Sequence, residues 1–149
     1  MGTLRRWYLR TGNRIGVGMY RVLDGRLSSG SRDVTVLMLT SPGRRTGTPR
    51  STCVRFLDTP EGMVVWGTGS GSPTEPDWFR NLRAADRVDV QVRDRHLRAR
   101  PRVLEGEERD RAWRDLVLAH APEVRRYEEK AGRTIPVAVL VPETAEPTG

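Results

Sequence analysis

Three runs of β-branched and apolar residues, at 34–40, 50–58 and 63–68, follow one another with only turn-forming residues between them. Runs of this length and composition are strands. Ser41-Pro-Gly-Arg-Arg-Thr-Gly-Thr-Pro49 is a turn-rich loop, and Thr59-Pro-Glu-Gly62 is a hairpin turn. In the second run Thr52, Val54 and Phe56 share one face. Further on, Arg87-Val-Asp-Val-Gln-Val-Arg93 alternates strictly. It turns at Asp94-Arg95 and returns over 96–104, where Pro101 marks an edge or a bulge. An apolar strand over 134–141 closes the set.

Helical patterns interrupt these hairpins in three places. A helix is expected near 77–85, with Trp78, Phe79 and Leu82 on its apolar side and Pro76 and Asp77 at its start. A second spans 105–119, with Ala112, Trp113, Leu116 and Val117 facing inward. A short third covers 122–131. Strand and helix do not alternate as a doubly wound sheet requires. The expected class is therefore α+β, mainly β: an antiparallel barrel with flanking helices. Residues 1–33 form a variable N-terminal segment with one or two short helices, 34–142 the barrel domain, and 143–149 a disordered tail.

With 149 residues the chain is one domain of ordinary size, able to bury a core without disulfides. Cys53 is the only cysteine, so no internal disulfide exists, and a thiol within a strand is its default. His96 and His120 stand alone without ligand spacing, so no metal site is expected. The N-terminal region is basic and aromatic but has neither a long apolar run nor a small-residue cleavage site. It reads as retained and cytoplasmic, in a form that can touch a membrane surface.

The net charge of +7 rests on arginine, Lys130 being the only lysine. Such a surface favours anionic partners. Nucleic acid is the weakest of these, because no aromatic residues alternate with the cations along one strand face. Placement of individual arginines matters more. Arg44, Arg45 and Arg50 lie in or beside the glycine-rich 41–50 loop, where forked donors, backbone N–H groups and the hydroxyls of Ser41 and Thr46 suit a phosphate. The loop is neither a Walker loop nor a dinucleotide fingerprint. A second candidate runs from Thr68 through Gly69 and Ser70 to the helix start at Trp78 and Asn81. A third is Tyr127, with Arg125, Arg126 and Arg133 close by, whose hydroxyl suits proton donation or substrate binding. No nucleophile, metal or acid–base pair is evident, so any reaction falls to a cofactor.

Leu39-Thr-Ser-Pro-Gly-Arg-Arg-Thr-Gly-Thr-Pro-Arg50 resembles the opening motif of the deazaflavin-dependent nitroreductase family. Pro76-Asp-Trp-Phe-Arg-Asn-Leu82 looks like that family's helix motif, and Arg133-Thr-Ile-Pro136 is similar to its C-terminal ending. The resemblance runs from about Val34 to Pro142 with the motifs in order. It implies a split β-barrel binding coenzyme F-420, an 8-hydroxy-5-deazaflavin with a phosphate and a polyglutamate tail. Ser41, Gly43, Arg44, Arg45, Thr46, Gly47 and Arg50 would hold the phosphate and tail. Gly67, Thr68, Gly69, Ser70, Trp78 and Asn81 would line the deazaflavin. Where many relatives carry Lys-His before the helix-motif proline, this chain carries Thr74-Glu75. The implied activity is hydride transfer to a quinone, an unsaturated lactone or enone, or a nitro-aromatic, with Tyr127 or solvent as proton donor. A homodimer is common in such barrels. Two alternatives remain open at this point: a carrier of coenzyme or lipid without turnover, and an FMN-binding split barrel.

Overall fold

A computed structural model of the protein describes residues 34–143. The expectations for 1–33, including a helix able to touch a membrane, lie outside the described residues, as does the tail from 144.

Six antiparallel strands close into a barrel. They are β1 (Val34–Pro42), β2 (Pro49–Asp58), β3 (Met63–Trp66), β4 (Val88–Val92), β5 (Arg95–Val103) and β6 (Val137–Pro142). Their order around the barrel is β1-β2-β3-β6-β5-β4, with β4 returning to β1. Helix α1 (Asp77–Ala84) follows β3. Helix α2 (Gly106–Arg111) passes into a wider π-helical stretch (Ala112–Val117) and a last turn (Leu118–His120), and helix α3 (Val124–Ala131) precedes β6. This is the mainly β antiparallel barrel with flanking helices that the hairpin pattern demands.

Alternation along each strand sorts two cores. The register Leu37↔Val54 and Leu39↔Thr52 puts these side chains on one face, and Leu39↔Val90 carries that face across to β4. Leu37, Leu39, Val54, Val65, Val90, Ala99 and Leu140 fill the barrel, and Phe79 and Leu82 of α1 close it as fully buried members of the same cluster. The opposite faces of β3 and β6 (Val64, Trp66, Val137, Val139) pack against Trp113, Val117, Val124 and Ala131. So α1 belongs to the interior, and α2 and α3 to an outer layer.

Several boundaries differ from the periodicity for local reasons. β3 stops at Trp66: Gly67 still donates to its in-register partner Pro136 O (3.0 Å), but Pro136 has no N–H to return the bond. β6 starts at Val137 and not at 134, because Ile135 turns into the outer core and its carbonyl accepts two bonds from Arg109 (3.0 and 2.7 Å). Pro101 lies beyond the last β4 pair, Val88↔Ala99, so its missing N–H faces the side where no ladder runs. Pro142 is paired with Ala99, and the N–H of Glu143, the first residue of the expected tail, donates to Arg98 O (2.9 Å). Cys53 is half-buried on the outer face beside Val36 and Met38, and burial pushes its thiol pKa up.

Candidate functional site

The β1–β2 hairpin carries the first motif. Its ladder runs to Pro42↔Pro49, and Gly43 N–H donates to Thr48 O while Gly47 N–H donates to Gly43 O (both 2.8 Å). Thr46 Oγ1 accepts from the Thr48 N–H (3.3 Å), so this hydroxyl braces the turn. The tight turn leaves Arg45 and Thr46 exposed, while the side chain of Arg44 reaches back over the cavity. Arg50 and Thr52 continue the inward-facing register of β2 beyond the last large apolar residue, Val54. The barrel's apolar interior therefore gives way to polar side chains at this end.

Helix α1 supplies the opposite wall. Phe79 and Leu82 anchor it in the barrel. Asp77, Trp78 and Asn81 then face the hairpin: 77 and 81 are one turn apart on the helix. Trp78 packs edge-on to Phe79, 5.4 Å between centroids. Asn81 is 6% exposed, and its Oδ1 accepts both the backbone N–H of Arg44 (3.2 Å) and its Nη1 (2.8 Å). Arg44 Nη2 meets Asp77 Oδ1 at 3.2 Å. Loop and helix are thus stitched together over 37 residues of sequence by one arginine.

Between these walls lies an open cavity of about 470 Å³, lined by Gly43, Arg44, Arg45, Thr46, Arg50, Ser51, Thr52, Asp77, Trp78 and Asn81. Its size suits a small-molecule site. Among the described residues Arg45 and Arg50 have no acidic partner, whereas Arg55, Arg83, Arg87, Arg98 and Arg102 are ion-paired with Glu123, Glu75, Glu143, Asp89 and Glu61. Two unneutralised forked cations, a helix start and a tight glycine turn make this a place for an anionic group. The carboxylate of Glu75 does not line the cavity: Arg83 takes it at 2.7 Å. The Glu75 charge is thereby neutralised locally.

Of the sequence-derived candidates, Gly43, Arg44, Arg45, Thr46, Arg50, Trp78 and Asn81 come together around this cavity. Gly47 completes the turn with φ +76°. Ser41 sits opposite Arg50, only 2% exposed, with its Oγ unpartnered among the described residues. Gly67, Thr68, Gly69 and Ser70 are not among the lining residues. They form a separate loop, with a 3₁₀ turn at Gly69–Gly71, that packs against α3. Arg133 organises it: Nε donates to Ser72 O (3.0 Å), and Nη2 reaches the carbonyls of Gly67 (3.2 Å), Thr68 (3.2 Å) and Thr74 (3.0 Å). Tyr127, also outside the cavity lining, is exposed on α3, one turn before Lys130, whose side chain covers Gly71.

Sequence reasoning missed the lining roles of Ser51, Thr52 and Asp77, and the loop-holding role of Arg133. Ser51 and Thr52 were legible as the continuation of a strand already led by Arg50. Nothing local betrays Arg133, whose partners lie 59 to 66 residues away.

The model for the family described as "F420H(2)-dependent quinone reductase" matches residues 12–142. The chain belongs to that family. Membership makes it an oxidoreductase that depends on coenzyme F-420, in line with the resemblance of its three motifs. An F420H(2)-dependent quinone reductase of Mycobacterium tuberculosis is 25% identical over 130 residues, covering 85% of this chain and 87% of its own length. Among solved structures, an F420-H2 dependent reductase superposes with a TM-score of 0.62 at 29% identity, covering 73% of this chain and 94% of that one. Another, described as a domain-swapped dimer, reaches a TM-score of 0.63 at 27% identity, with 85% and 96% covered. Among the described residues of this family member, no helix is long and apolar enough to cross a membrane.

Proposed function

We propose that this F-420-dependent reductase holds the phosphate and tail of its coenzyme in the 43–52 cavity and reduces a quinone-type acceptor. The observation that carries the reading is the pair of arginines without an acidic partner among the described residues, Arg45 and Arg50, which line an open cavity with Arg44 on one wall and Trp78 and Asn81 on the other. The donor set fits: forked guanidinium groups and turn N–H groups match phosphate and carboxylate oxygens. Trp78 offers an aromatic face for a planar ring system, and in this reading the 67–70 loop, outside the cavity lining, would add backbone amides to it. When bound, the reduced deazaflavin supplies hydride.

The chain's own contribution is then positional and electrostatic. A quinone takes up one hydride and one proton to become the quinol, so the protein must orient the acceptor and have a proton reach its oxygen. Arginine and backbone donors stabilise the negative charge that develops there. Tyr127 has an exposed hydroxyl on the helix that packs against the 67–70 loop, which supports it as the proton donor, with solvent as the other source. Tyr127→Phe is expected to lower kcat by roughly 10- to 100-fold while leaving coenzyme binding unchanged. An equal kcat would assign the proton to solvent.

The coenzyme reading is tested by fluorescence titration of the full chain with oxidised coenzyme F-420, with FMN alongside, followed by turnover with a quinone panel. Saturable preference for F-420 and catalytic oxidation of the reduced coenzyme are expected. Stoichiometric binding without turnover would make the protein a carrier. Preference for FMN would keep the barrel and replace the coenzyme. An unsaturated lactone or a nitro-aromatic turned over faster than any quinone would change the acceptor. Assembly into a homodimer, and contact of residues 1–33 with membranes, are read from the same preparation by light scattering and vesicle sedimentation.

A further inference from the structure

We propose that Asp77 is a counter-ion that competes with the coenzyme's anionic group for Arg44 and so keeps the coenzyme exchangeable. This inference rests on reading the cavity as an anion site. Arg44, Arg45, Arg50 and Asp77 are the charged residues that line it. Arg44 has two kinds of partner on α1. Asn81, nearly buried and neutral, accepts from both the backbone N–H and Nη1. Asp77, its side chain 80% exposed, meets only Nη2.

These two partners do different things. The Asn81 bonds fix the main chain and one edge of the guanidinium, so the position of Arg44 does not depend on Asp77. What the carboxylate adds is a negative charge on the cavity wall. An anion entering the cavity must share or take Nη2 from Asp77 and then sit beside its like charge. Three unopposed arginines would retain a polyanion. One carboxylate among them weakens that hold, which favours release of the spent coenzyme in each turnover. Glu75, two residues earlier, has no such effect, because its carboxylate is spent on Arg83 outside the cavity.

The test compares wild type, Asp77→Asn and Glu75→Gln. Oxidised coenzyme F-420 is titrated by fluorescence, and inorganic phosphate is titrated by its effect on Tm. Asp77→Asn should bind the coenzyme about threefold to tenfold more tightly at low salt, and the gain should shrink as salt shortens the range of the charge. It should also respond to phosphate at lower concentrations than wild type. Glu75→Gln should stay within about twofold of wild type. Unchanged or weaker binding by Asp77→Asn would overturn the proposal and make Asp77 an orienting residue for Arg44. Equal tightening by Glu75→Gln would overturn it too, since any lost acid would then serve. If wild type responds to phosphate but not to the coenzyme, the coenzyme reading falls, and the order of the variants with phosphate still decides the role of Asp77. If neither ligand acts on any of the proteins, both fall.

Discussion

Two glycine-rich loops, each fastened by one arginine, end up with opposite uses of their positive charge. In the 43–48 loop the fastening residue belongs to the loop itself. Arg44 reaches out to Asn81 and Asp77, and its neighbours Arg45 and Arg50 stay turned to the cavity. In the 67–74 segment the fastening residue comes from elsewhere. Arg133 is spent on four backbone carbonyls and contributes its donors to the loop's interior. A cation consumed by main-chain acceptors gives shape, while a cation left without an acid gives affinity for anions. The same residue type in similar loops thus holds structure in one and, in the proposed reading, serves recognition in the other.

Arg133→Ala puts this contrast under the greatest load. It strands four carbonyl acceptors, so the protein should lose roughly 3 kcal/mol or more, a fall in Tm of about 6–12 °C. Lysine should not restore it, because a single ammonium cannot replace the planar fork. If thermal melts of the variant match wild type, the loop holds its shape without the arginine and the contrast fails.

Next in size is the Arg44→Ala/Arg50→Ala double variant. Coenzyme affinity should drop at least about 100-fold, at roughly 1.5–3 kcal/mol per charge-assisted contact. The Tm should fall less than for Arg133→Ala, since Asn81 Oδ1 keeps the backbone N–H of residue 44 as a donor and loses only Nη1. A large loss of stability with little change in affinity would reverse the roles assigned to the two loops.

The smallest expected effects separate two glycines at positive φ, one taken from each loop. Gly71 has φ +85°, and an added Cβ would press on Lys130 of α3. Gly47 has φ +76° and open space around it. Gly71→Ala should cost about 2 kcal/mol, from strain and crowding together, and Gly47→Ala about 1 kcal/mol from backbone strain alone. Denaturant melts would show the order. Equal costs would mean that the α3 side of the loop yields as easily as the cavity side.

The strands were legible because their signal is local. Alternation at 87–93 and the short β-branched runs before it need no distant partner to be read and give the hairpins β1–β2–β3 and β4–β5, whereas closure through β1–β4, β3–β6 and β5–β6 joins strands far apart in sequence. Boundaries slipped where a partner's chemistry intervened: Arg109 bonding the Ile135 carbonyl, and Pro136 lacking the N–H that would return Gly67's bond. The cavity was legible in half. Gly43 to Arg50 could be named from one loop, and Trp78 and Asn81 from one helix. The resemblance of both motifs to one known family links loop and helix independently of where the fold puts them. Asp77 looked like an ordinary helix-start acid, and its place on the cavity wall depends on how α1 docks in the barrel mouth.

An antiparallel mainly β barrel and the family to which the chain belongs are written in periodicity, turn residues and contiguous motifs. Which arginines remain unneutralised is written nowhere in that pattern and is settled by folding. Pairing of a cation depends on which acid or carbonyl the fold brings within about 3 Å, and residues such as Arg44 and Asn81, or Arg133 and Gly67, meet only after the chain between them has closed the barrel.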